Sequence, residues 1–248
     1  MALSGNDIDS TLHKAVQSII NKALSLPSGE NFSFSKNQKL DAETNEILRS
    51  FSDSVIADIT TRSIRASEIA ANYNDDEYSY EDHIRKYLND SDAREKTDKY
   101  SKDLKNQLEL YIAYAITAGW NASKTTYEYM LWKNHPYRST FILSDKNIHI
   151  TASRRSPGSG NYTGVASNLK RMEQYLIFSV YNFTNRLIWR KDKDIVGYRT
   201  FRNSSYPCEI CDSLLGKVHA LTEIAVPAHG HCVCGSYPVF REDMEDSK

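Results

Sequence analysis

All four cysteines of the chain fall between Pro207 and Cys234, in the stretch PCEICDSLLGKVHALTEIAVPAHGHCVC, together with three of its seven histidines. Thiols gathered this tightly leave few options. They pair as disulfides, pack as small apolar residues, or converge on a metal ion. Cys208 and Cys211 are two residues apart, which lets both sulfurs approach one ion from a single turn. His229, Cys232 and Cys234 form a second group that begins eighteen residues after Cys211. Structural zinc takes four nitrogen or sulfur ligands with no open position, and two such groups on loops supply them. The predicted metal ligands are Cys208, Cys211, His229 and Cys232, with Cys234 as the substitute for the fourth place. His219 and His231 bring the donors in this stretch to seven.

The choice of metal over disulfides depends on the redox setting. The start, MALSGNDIDSTLHKAVQSII, has no basic segment followed by an apolar run, and nowhere do eighteen apolar residues occur together. The expectation is a protein without a cleavable secretion signal or membrane span, in a reducing compartment where thiols stay free for metal. Lys and Arg (31) nearly balance Asp and Glu (32), so overall charge gives no footprint for nucleic acid, although a local basic patch remains open.

Hydrophobic spacing sets the frame around the cluster. Ile8, Leu12, Val16, Ile19, Ile20 and Ala23 recur at helical intervals, and a longer helix follows from Leu40 through Ile47, Phe51 and Ile59 towards Ala71. Residues 72–103 are polar and acidic, and read as a mobile linker holding one short helix around Ile84 and Leu88. From Leu104 the spacing predicts one helix running through Trp120 towards Leu131, ended by KNHPYR.

After Pro136 the pattern changes. STFIL and NIHIT read as a hairpin, and RRSPGSGNYTG as a flexible loop whose adjacent arginines could meet phosphate. A helix over 165–189 follows, then a strand at Ile195–Phe201, the cysteine loops, and a closing strand, GSYPVF. The fold class is therefore α+β: a mostly helical N-terminal half (1–135), then a small α+β domain (136–248) carrying the zinc-knuckle-like Cys/His loop (208–234).

Two enzymatic readings compete with a structural role. PCEIC matches the Pro-Cys-x-x-Cys half of zinc deaminases, but the His-x-Glu half occurs nowhere upstream. A metal-dependent nuclease could use His219, His229 or His231 to activate water, beside the basic residues Arg186, Arg190, Lys191 and Lys193. Asp212 and Glu223 are the nearby acids considered for such a site, and no carboxylate-rich second site accompanies them. No catalytic residue is assigned.

The order of features from 165 to 240 carries a likeness to a known family. A long helix, a strand, Cys-x2-Cys, the turn D-x-L-x-G-K-V (Asp212 to Val218) and Pro-x-His-x2-Cys-x-Cys (Pro227 to Cys234) resemble the phage Mu F-like minor head proteins, also called phage head morphogenesis proteins. In this chain Val233 replaces the family's usual Arg, and Gly230-His231 its Pro-Asn, while the candidate ligands stay in place. The resemblance implies a minor virion component with no catalytic activity. It would be built into the head near the portal, contacting the portal protein or the major capsid protein and the packaged DNA, and would reside in the host cytoplasm during assembly. The alternative function is a metal-dependent nuclease or a DNA-associated virion protein ejected with the genome.

Overall fold

The computed structural model describes residues 6–26, 32–134, 136, 164–203, 208–229 and 232–245. The two stretches expected to form a hairpin, 139–143 and 147–151, lie outside the described residues, as does the arginine-bearing loop up to residue 163. The described chain is mostly helical, with a small antiparallel sheet towards its C-terminal end. None of its helices is long and apolar enough to cross a membrane.

The chain divides into two compact units that interleave along the sequence. One comprises Met1–Asp58, Asp92–Arg155 and Gly160–Lys170; the other comprises Ile59–Ser91, Ser156–Ser159 and Arg171–Lys248. The expected linear division at 135/136 thus differs from the compact units, because the second half of one helix and the short helix after it pack with the C-terminal residues.

In the first unit, α1 (Asn6–Leu24) buries the whole predicted stripe, from Ile8 to Ala23, with each of its six residues at most 1% exposed. It packs against α4 (Ala93–Thr117) and α5 (Ala122–Trp132). Leu104, Leu108, Tyr111, Ile112 and Ala115 of α4 complete the core with Tyr129 of α5. The Tyr111 and Tyr129 rings meet edge to face at 5.2 Å, and each hydroxyl is satisfied, donating to Pro136 O and Gln107 Oε1 respectively. The single helix expected from Leu104 to Leu131 is instead two. Gly119 takes a left-handed conformation (φ +66°) while its N–H bonds Ile116 O and the N–H of Trp120 bonds Ala115 O, the paired closure that ends a helix. Asn121 then caps α5 by accepting from the Lys124 N–H at 2.9 Å.

The second unit begins within α2 (Gln38–Tyr73) and includes α3 (Glu81–Asn89) and most of α6 (Val165–Trp189). The linker expected over 72–103 is structured: α3 and the start of α4 occupy most of it. Within this unit the turn after α2 is tied to α6. Asn74 donates to Asn185 Oδ1 and accepts from Trp189 Nε1, and Asp76 accepts from Lys191 Nζ and the Tyr80 hydroxyl. A polar sequence misled here because these polar groups bond to each other rather than to water.

β1 (Ile195–Phe201) lies between β2 (Val218–His219) and β3 (Gly235–Phe240), antiparallel to both. Tyr198 pairs with His219 and Pro238, and Arg199 with Val218 and Tyr237, so alternate positions fall on opposite faces. Tyr198, Thr200 and His219 are buried, whereas Phe201, Val218 and Tyr237 are exposed. Ser236 donates to Asn182 Oδ1 of α6 at 2.7 Å, linking β3 to that helix.

Candidate metal centre

The sheet holds apart the loops that bring the cysteines together. Downstream of β1, Cys208 opens α7, a single turn over Glu209–Asp212, and Asp212 N–H bonds Cys208 O at 2.8 Å. The turn points Cys208 and Cys211 the same way. Arg202 forms an ion pair with Asp212, fastening the turn to the end of β1. Before β3, Cys232 N–H bonds His229 O at 3.0 Å and closes a second turn. The loop between these turns is held by Tyr198, whose hydroxyl donates to Glu223 O (3.0 Å) and accepts from Ala225 N–H (2.9 Å).

The two turns converge. His229 Nε2 lies 3.2 Å from Cys208 Sγ and 3.1 Å from Cys211 Sγ, and Cys211 Sγ lies 3.7 Å from Cys232 Sγ. Cys208, Cys211 and His229 form one triad and Cys211, Cys232 and Cys234 another, each with its ligand atoms within 4.8 Å of one another. Bond lengths of about 2.3 Å to sulfur and 2.0 Å to nitrogen place tetrahedral ligands roughly 3.8 Å apart for two sulfurs and 3.5 Å for sulfur and nitrogen. The sulfur pair fits that spacing, and the histidine contacts are a few tenths of an ångström shorter. These Cys and His groups are close enough to hold a metal ion.

The electrostatics separate the ligands. The backbone N–H groups of Cys211 and then Ile210 point at Cys208, and with the Arg202 charge they hold its thiol below the ordinary cysteine value despite desolvation. Burial pushes the Cys211 thiol far up, and neighbouring Cys208 and Cys234 push it further. Burial also raises Cys234. Buried thiols that resist ionisation side by side are the groups for which a dication supplies the missing positive charge.

All four cysteines are free, and Cys211, Cys232 and Cys234 share a small apolar cluster with Trp189, Tyr198, Ala225 and Val226. The structure thus gathers Cys208, Cys211, His229, Cys232 and Cys234 into two overlapping triads that share Cys211. His219 does not join them. Its ring is buried, with Nε2 3.1 Å from Leu214 O and Nδ1 3.0 Å from Glu223 Oε1, so both nitrogens face oxygen acceptors. Its ring also lies 5.3 Å from that of Tyr198, tilted by 35°. His231 lies outside the described residues. Sequence reasoning missed Tyr198 as the residue that pins the loop; a tyrosine in the middle of the predicted strand IVGYRTF was the available signal. Comparison of the chain with family models, characterised proteins and solved structures finds no match.

Proposed function

We propose that this chain is a minor structural protein of a tailed-phage head, in the manner of the Mu F-like head morphogenesis proteins it resembles. In this reading its Cys/His corner is a closed structural zinc site. Cys208, Cys211 and His229 hold the ion with one of Cys232 and Cys234, and the folded corner docks on portal or capsid subunits in the virion. The observation that carries the reading is the convergence of the two turns on Cys211, in the order and spacing of the resemblance. A site filled by four protein ligands has no open position for water, as a structural role requires.

The nuclease reading draws less support. Both ring nitrogens of His219 are engaged, and neither metal-competent group among the described residues contains a carboxylate. The basic stretch is also largely occupied: Arg190 donates to Leu221 O, Lys191 binds Asp76, and Arg186 is buried over the Tyr198 ring.

Two measurements test the proposal. Purified protein should contain about one zinc per chain, lost in Cys208→Ser and Cys211→Ser. In phage-producing cells the chain should co-purify with portal protein and remain in heads. Divalent-metal-dependent cutting of DNA that disappears in His219→Ala, with incorporation unchanged, would overturn the structural reading. So would a folded, metal-free protein with four free thiols.

A further inference from the structure

One face of the sheet in the second unit packs inward; on the other, Gly197 and Val239 are covered at one end while the end bearing Phe201 and Tyr237 is open. On the outer face Phe201 is 44% and Tyr237 46% exposed, with ring centroids 6.3 Å apart on adjacent strands. The register places Arg199 directly opposite Tyr237 on one side and Val218 on the other. Gly235, opposite Phe201, leaves room for that ring: a Cβ at Gly235 would come within 2.3 Å of Phe201 Cζ.

The charge on this face is one-sided. Arg199 has no ion-pair or hydrogen-bond partner among the described residues, and its Nε is buried without one. None of the residues that the register puts on this face is acidic.

Exposed rings on neighbouring strands around an unpaired arginine are complementary to a ligand with flat π-faces and a negative backbone. We infer that the outer face of β1 and β3 is a binding platform for single-stranded nucleic acid, with bases stacked on Phe201 and Tyr237 and phosphate held by Arg199. Size favours this occupant over a protein. Three short strands about 4.8 Å apart, rising about 3.4 Å per residue, present roughly 300 Å². A stable protein interface needs about 800 Å² from each partner. Two stacked bases and their phosphates need less, and stacking on aromatic rings tolerates any base. Duplex DNA hides its base faces and offers this platform only phosphate.

The test is fluorescence anisotropy of the full, metal-loaded chain with a labelled oligo(dT) strand and with a duplex of the same length, over a series of salt concentrations. The single strand should bind more tightly than the duplex. Tyr237→Ala and Phe201→Ala should each weaken binding roughly 5- to 150-fold. Arg199→Gln should reduce the slope of log affinity against log salt by about 0.7. Because Phe201→Ala uncovers Gly235 and could disturb the fold, Tyr237→Trp provides the control: it keeps a stacking surface and should keep affinity. The inference is overturned if the native chain shows no saturable binding at low salt, if strand and duplex bind equally, or if Tyr237→Ala binds as well as the native chain. Self-association of the native chain that Tyr237→Ala abolishes would also overturn it, in favour of a protein interface.

Discussion

In the first unit, α1 alone contributes five large aliphatic side chains that are essentially inaccessible to water: Ile8, Leu12, Val16, Ile19 and Ile20. At about 2 kcal/mol each, that is a gross gain on the order of 10 kcal/mol from one helix. The cysteine corner of the second unit has a buried cluster of seven residues, of which three are thiols and one is alanine. Among its buried members only Val226 is a branched aliphatic side chain, so the corner offers less aliphatic burial than the α1 stripe. A structural zinc ion supplies about 10 kcal/mol or more in small zinc-dependent folds. The comparison teaches that similar gross stabilisation can come from a stripe spread over a helix or from a few ligands around one atom. The two should respond to different perturbations.

The largest expected contrast follows removal of metal. Chelation should strip hydrogen-exchange protection from 195–240 and leave 8–24 and 104–115 as they were, read by exchange mass spectrometry on the full chain. Equal loss in both regions would break the comparison. The converse perturbation is Leu108→Ala, which opens a cavity under α1 and α4 and should cost about 2 to 5 kcal/mol in denaturant unfolding. Zinc per chain, measured by metal analysis, should not change.

Smaller effects sharpen the boundary of the corner. Tyr198→Phe keeps the ring but removes the hydroxyl bridging Glu223 O and Ala225 N–H, which should cost about 1 to 3 kcal/mol. Faster exchange at the amide of Ala225 is the local signature. The smallest effect concerns Asp76. The Lys191 hydrogen bond outweighs desolvation and, with those from Tyr78 N–H and Tyr80, holds its carboxyl below the ordinary carboxylate range. A folded value below the unfolded one means that the pair stabilises the protein above the unfolded carboxyl pKa of about 3.9 and loses that contribution as pH falls through the folded value. Asp76→Asn should therefore cost about 1 kcal/mol near neutral pH, with the difference from the native chain shrinking below about pH 4. A constant difference across that range would show that the charge is not responsible.

Much of this organisation was legible in the sequence. The α1 stripe, the 165–189 helix and both longer strands occupy their predicted places because each is a local periodicity, fixed by which side chains must leave water. That Cys and His groups of this stretch would lie close enough to hold an ion was also legible, since all the thiols fall within one short segment. The break at Gly119 had its signal in GWNAS, a left-handed glycine followed by an Asn cap, but the apolar pattern on either side hid it. The interleaving of the units was not legible. It depends on Asn74 and Asp76 finding partners more than a hundred residues away, at Asn185, Trp189 and Lys191, and no local pattern carries that information. His219, weighed as a possible activator of water, sits on β2 with its two nitrogens close to partners only four and five residues away, Glu223 Oε1 and Leu214 O.

The ring of Phe201 lying on Gly235 links the histories of two positions thirty-four residues apart. Any side chain acquired at 235 must displace the ring, and any small residue at 201 leaves the glycine backbone bare. Neither substitution is neutral while the other residue is unchanged, so among descendants of this chain the two sites should drift as a pair. Their effects on stability should be strongly non-additive in a double-mutant cycle.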